Sequence, residues 1–295
     1  MNIKGIITAL VTPIDQNENI NYEETTKLVN FLVDSKVNGL FILGTNGEGH
    51  ALSDEKALAF AEHVVKIVND RVPVIAGVGK NSTNTTVSYA QQMKNTGVDA
   101  LSVLAPSFIP NTQEELIYHY TTIATSVGLP IYIYNMPSKT GVNIEAETLE
   151  KLYTLENIVG IKDSSGSFEN MKEYMDVTKD DVDFSVFSGS DSKILDVLEY
   201  GGAGGVTSIS NALPSIMVGI YNNWKQGNTE RARYFQNSIE EFRRIVKKGT
   251  IPSILKAYLN ENQFLVGPTV KPVAEPQEET LKEIREVSRY YAKFV

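Results

Sequence analysis

The sequence predicts an α/β fold, a closed (β/α)8 barrel with a C-terminal helical extension, and three observations carry that prediction. Short apolar runs alternate with amphipathic helical patterns eight times along the chain. The polar residues that interrupt this pattern cluster just after the strand runs, where such a barrel collects its active groups. From about Gln226 the strand signal stops and only helical patterns follow. An open doubly wound sheet is the competing arrangement of the same alternation. The expected division is a catalytic barrel over residues 1–225 and a helical region over residues 226–295.

The strand runs are Gly5 to Val11, Gly39 to Gly44, Val72 to Val78, Ala100 to Ala105, Pro130 to Asn135, Ile158 to Asp163, Phe184 to Gly189 and Gly204 to Ser208. Each precedes a helix candidate. In the second helix Ser53 can cap, Asp54 and Glu55 favour the positive end, and Ala57, Phe60, Ala61, Val64 and Val68 form one apolar face. The fourth opens on Thr112-Gln113-Glu114-Glu115, a capping box in form. Gly201 and Gly202 are expected to end the seventh, and Pro214 sits in the first turn of the eighth. Beyond the barrel, helices are expected over Thr229 to Lys248, Pro252 to Asn260 and Glu279 to Phe294, with Val266-Gly267-Pro268-Thr269-Val270-Lys271-Pro272 as a break.

Composition narrows the chemistry. With 295 residues, 42% of them apolar, the chain can bury one large core. It has no cysteine, which excludes a disulfide scaffold, a thiolate metal site and a cysteine nucleophile. No apolar signal core opens the chain and no apolar run approaches the ~20 residues that span a bilayer, so a soluble, unexported, cytoplasmic protein is expected. Against 36 acidic residues stand 27 basic ones, and the net charge of −9 repels polyanions. Nucleic acid is therefore not an expected partner. His50, His63 and His119 are scattered without carboxylates at ligand spacing, so no metal site is expected; His63 and His119 read as helix-surface residues, and His50 lies near the rim.

Lys162 ends the apolar run of strand six, where a lysine is seldom buried without a reason. Desolvation disfavours an ammonium and favours the free amine, the form that attacks a ketone to give a Schiff base. The alternative is an amine that snorkels to solvent or pairs with a carboxylate. Tyrosine recurs along strand five, and one of Tyr132 and Tyr134 is expected to face the barrel axis; if it is Tyr134, its phenol can move a proton near the amine, and otherwise it packs in the core. The glycines around Thr45 allow backbone N–H groups to bind a carboxylate, or simply form a strand-to-helix turn. Neither this loop nor Gly77-Val78-Gly79-Lys80-Asn81-Ser82 has the glycine order of a nucleotide site.

Taken together, Gly44-Thr45-Asn46-Gly47-Glu48, Tyr134-Asn135-Met136-Pro137-Ser138-Lys139-Thr140-Gly141 and Gly160-Ile161-Lys162-Asp163 resemble the dihydrodipicolinate synthase/N-acetylneuraminate lyase family over the whole chain. The resemblance implies a TIM barrel, a homotetramer, no metal or organic cofactor, and a strand-six lysine that forms a Schiff base with pyruvate. It makes Lys162 that lysine, Tyr134 the catalytic tyrosine and Thr45 the hydroxyl of its relay. Asn46 falls where a threonine side chain commonly helps bind the pyruvate carboxylate, and Val206 where a backbone carbonyl lies beside the pyruvate.

The departures bear on the second substrate, an aldehyde. Phe108 stands where the synthases carry a tyrosine that reaches the adjacent subunit, and Lys139 replaces an arginine that grips the carboxylate of aspartate semialdehyde. Lysine supplies charge without a bidentate fork. Ser164, Gly189, Asp191 and Ser208 resemble the polyol-contacting positions of the sugar-acid lyases, although the neuraminate lyases place a glutamate where Ser192 stands and also carry the tyrosine that Phe108 replaces. The leading expectation is therefore an aldolase that cleaves a 2-keto-3-deoxy sugar acid, gluconate-like or N-acetylneuraminate-like, to pyruvate and an aldehyde. The alternatives are 4-hydroxy-tetrahydrodipicolinate synthase and a pyruvate-binding regulator that does not turn over.

Overall fold

A computed structural model describes residues 3–293. Met1 and Asn2 at the start, and Phe294 at the expected end of the last helix, lie outside the described residues. The strands are β1 (Gly5–Ala9), β2 (Gly39–Ile42), β3 (Val74–Gly77), β4 (Ala100–Leu104), β5 (Ile131–Asn135), β6 (Ile158–Asp163), β7 (Ser185–Ser188) and β8 (Gly204–Thr207). Each runs parallel to the next, and β8 returns to β1 with Thr8 opposite Thr207, which closes the barrel and rules out the open sheet. Around it lie α1 (Tyr22–Asp34), α2 (Asp54–Val68), α3 (Thr83–Lys94), α4 (Gln113–Val127), the single turn α5 (Pro137–Thr140), α6 (Ala146–Leu152), α7 (Phe168–Val177), α8 (Ile194–Glu199) and α9 (Pro214–Lys225).

Local chemistry sets these boundaries. The Ser53 hydroxyl accepts from Lys56 N at 3.3 Å to start α2. At α4 the capping box closes in both directions, Glu115 N to Thr112 Oγ1 at 3.3 Å and Thr112 N to Glu115 Oε2 at 2.8 Å. Gly201, at φ +104°, takes the chain out of α8. The first strand stops two residues before its apolar run does, because Val11 N bonds to the Asn211 side chain at 3.1 Å while Leu10 and Val11 stay buried. Apolar character reports burial, and burial outlasts the ladder.

Two apolar layers form. The larger lies between sheet and helices and includes Phe60, whose complete burial stabilises by roughly 1.5–3 kcal/mol. The smaller fills the barrel and includes Ile7, Phe41, Ile75, Tyr132, Tyr134, Phe187 and Val206. Residues two apart on a strand share a face, so Tyr132 and Tyr134 both point inward, which corrects the expectation that only one of them would. His119 also departs from expectation. It is buried on α4, its Nδ1 lies 2.9 Å from Thr83 Oγ1, and burial pushes its pKa down to about 4. His63 is half-buried, with Nε2 3.1 Å from Thr26 Oγ1.

The extension holds α10 (Thr229–Ser238), α11 (Glu240–Val246), α12 (Ser253–Asn260) and α13 (Glu278–Tyr291). The single helix expected over Thr229 to Lys248 is thus two. The reason is an inserted side chain: Tyr291 OH donates to Ser238 O at 2.7 Å and accepts from Phe242 N at 3.1 Å, standing where the direct i to i−4 bond would form.

Candidate active site

Strands β5 and β6 pair with Tyr134 opposite Lys162, so the two side chains enter the barrel side by side at its C-terminal end. Lys162 is buried, and among the described residues no carboxylate lies within ion-pair distance of it. Its Nζ sits 3.9 Å from the centroid of the Tyr134 ring and 4.7 Å from that of Phe41. Beneath it the barrel is nearly filled. A cavity of about 10 Å³, bounded by Ile7, Phe41, Ser102, Tyr132, Lys162 and Val206, is too small for a keto acid, which must approach from the rim.

The Tyr134 hydroxyl lies 3.3 Å from Thr45 Oγ1 and donates to Met136 Sδ at 3.1 Å. Burial alone would raise the phenol pKa, but the nearby Lys162 ammonium and hydrogen bonds from Thr45, Lys162 and Ser164 outweigh it, and the net direction is downward. A phenol so placed can give up and regain a proton beside an amine. Ser164, just past β6, is positioned by its N–H, which donates to Asn135 O at 2.8 Å. Gly189 allows this approach, since a Cβ there would come within 2.0 Å of Ser164 Oγ. Val206 lines the interior beside Lys162.

A second polar pair lies at the ends of β7 and β8, where Ser208 Oγ donates to Asp191 Oδ2 at 3.0 Å. Burial raises the Asp191 pKa against hydrogen bonds from Thr207 and Ser208. Asn46 is half-buried and Lys139 exposed, and neither side chain bonds to the Lys162 group among the described residues. Phe108, in the loop after β4, is 91% exposed and adopts φ +79°. His50 is exposed.

Asp163 faces the other way, outside the barrel. Its Oδ1 accepts from Asn135 Nδ2 at 2.7 Å and Asn170 Nδ2 at 3.1 Å, and its Oδ2 from Ser165 Oγ at 2.5 Å. Asn143 joins Asn135 and Asn170 at 2.8 and 2.9 Å. This network ties the end of β6 to α7 and to the loop after α5.

Sequence reading left out several side chains around the site. Met136 carries the parity of Tyr134 and could have been found by extending the strand period two residues further. Gln236, whose amide grips the Asp191 carbonyl at 2.9 Å and Leu195 N at 3.1 Å, and Lys256, paired with Glu48 at 2.5 Å, lie far along the chain and gave no local signal. No group of three or more His, Asp or Glu side chains among the described residues is placed to hold a metal ion. No helix there is long and apolar enough to cross a membrane.

Comparison with known proteins agrees with this geometry. A model of the dihydrodipicolinate synthetase family matches residues 2–289. The 4-hydroxy-tetrahydrodipicolinate synthase of Oceanobacillus iheyensis is 33% identical over 287 residues, which cover 97% of each protein. That of Methanopyrus kandleri is 36% identical over 289 residues, covering 97% of this chain and 94% of the relative. The crystal structure of the dihydrodipicolinate synthase of Thermotoga maritima superposes with a TM-score of 0.96 at 31% identity, covering 99% of both chains.

Proposed function

We infer the function of this chain from its family: it belongs to the dihydrodipicolinate synthetase family and is a class I, Schiff-base lyase. Lys162 is the Schiff-base residue in our reading, and pyruvate its partner. The observation that carries this is the buried amine, without a carboxylate partner among the described residues, beside a tyrosine whose hydroxyl lies 3.3 Å from Thr45. The amine attacks the pyruvate C2 carbonyl and loses water, and the resulting iminium draws electrons from C3. Loss of a C3 proton gives an enamine whose C3 adds to the aldehyde carbon. Tyr134, relayed by Thr45, supplies the proton that the new alkoxide takes up; in the cleavage direction it removes that proton. Asn46 and the backbone at Val206 hold the pyruvate. The position of Tyr134 and Lys162 near the C-terminal ends of β5 and β6, where barrel enzymes do their chemistry, supports this reading.

For the aldehyde, the relatives support aspartate semialdehyde, and hence 4-hydroxy-tetrahydrodipicolinate synthesis, above the sugar acid that the sequence alone favoured. The exposed Lys139, three residues past Met136, supplies a positive charge for the semialdehyde carboxylate without the planar fork of arginine. A 2-keto-3-deoxy sugar acid is the second reading, favoured by the Asp191–Ser208 pair, an acceptor and a donor suited to hydroxyls, with Ser164 and Gly189 alongside. The homotetramer implied by the family and the cytoplasmic location expected from the sequence belong to the same proposal. Purified protein offered pyruvate with aspartate semialdehyde, and separately a panel of 2-keto-3-deoxy acids, decides between the two. Condensation with the semialdehyde is expected; pyruvate release from a sugar acid with no condensation would reverse the order.

A further inference from the structure

The loop that carries Thr45 is held from a distance. After β2 the chain makes a tight turn, with Glu48 N bonded to Thr45 O and Gly49 N to Gly44 O, both at 3.3 Å. Glu48 adopts φ +54°, the left-handed region that a residue with a side chain occupies only when its surroundings demand it. Those surroundings are the helical extension. The Glu48 carboxylate is buried, with Oε1 2.5 Å from Lys256 Nζ on α12 and Oε2 accepting from Val270 N at 2.6 Å. Lys256 Nζ also donates to Pro268 O at 2.8 Å, and Asn260 clasps Gly267 through both its amide atoms at 3.0 Å. The extension thus grips the catalytic rim through a buried charge pair, its side chains 1% and 3% exposed.

We propose that Glu48 and Lys256 are positioning residues for the proton relay: by fixing the turn from Thr45 to Glu48 against α12, they set the Thr45 hydroxyl at bonding distance from Tyr134. Two residues separate the clamp from the relay hydroxyl, so a small rotation of the turn opens the 3.3 Å contact while leaving Lys162, on a different strand, in place. Imine formation and proton transfer therefore respond differently. This inference rests on the reading of Lys162 and Tyr134 above, and the experiment separates the two.

Glu48→Gln, Lys256→Met and the double variant are made in the full chain. Each is measured for melting temperature, for borohydride trapping of pyruvate, and for kcat and its pH profile. Glu48→Gln keeps the shape of the side chain and an acceptor for Val270 N, and it is read below its own melting temperature. We expect trapping within about twofold of the parent, kcat lower by roughly ten- to a hundredfold, the usual consequence of a small misplacement, and a shifted pH profile. The double variant leaves no buried charge unpaired, so its melting temperature should recover relative to Lys256→Met while its kcat does not. Recovery of kcat together with stability, or a folded Glu48→Gln with parental kcat, overturns the proposal. If the parent itself traps no pyruvate, the assignment of Lys162 falls instead, whatever the variants do.

Discussion

Lys162 and Asp163 are neighbours on one strand with opposite surroundings. Lys162 points into the barrel, among the rings of Phe41 and Tyr134, with no carboxylate partner among the described residues. Asp163 points out and accepts three hydrogen bonds from Asn135, Asn170 and Ser165. Both are polar and both are buried. On the proposed role of Lys162, the difference is that between a reactive group and a structural one: a structural polar group has its bonding capacity filled by fixed partners, whereas a reactive one is desolvated and left with capacity for a substrate. The strand's period of two delivers both from adjacent positions.

Substitution can break this contrast, and the largest effect is expected at Lys162. Lys162→Met, which keeps the length of the chain and discards the amine, should lower turnover by at least about 10⁴-fold, as loss of a nucleophile does, with no loss of melting temperature. A stability loss there would make Lys162 a structural residue after all. Tyr134→Phe sharpens the inner side of the comparison: turnover should fall by roughly 10²- to 10⁴-fold while borohydride still traps pyruvate, because the phenol moves protons and the amine forms the bond. Turnover close to the parent's would mean that another group carries the proton. Asp163→Ala tests the outer side. It strips the acceptor from three donors, so urea denaturation should show a loss of about 2–4 kcal/mol, with trapping retained in the folded fraction.

The fold was legible because the alternation of runs and helices is a local property repeated along the whole chain. Its errors came from the places where a local pattern meets a distant partner. The helix expected over Thr229 to Lys248 is split by the hydroxyl of Tyr291, 53 residues from the carbonyl it takes. His119 carries a polar side chain but lies under Thr83, a contact its own helix cannot announce. The tyrosine pair was misread for a simpler reason, since positions two apart cannot lie on opposite faces of a regular strand. At the site, Lys162, Tyr134 and Thr45 stood out because each interrupts or ends a strand with a polar group. Glu48 ends the motif Gly44-Thr45-Asn46-Gly47-Glu48, yet its partner Lys256 is one lysine in a helical stretch, and nothing local marks it as buried.

The proposed chemistry turns on an imine between the Lys162 amine and pyruvate. Borohydride reduction of the purified protein in the presence of pyruvate, followed by peptide mapping, tests it most directly. One stable adduct is expected, on Lys162, which disappears in Lys162→Met and persists in Tyr134→Phe and Asp163→Ala. An adduct on Lys139 or Lys80, or none on any lysine, would contradict it.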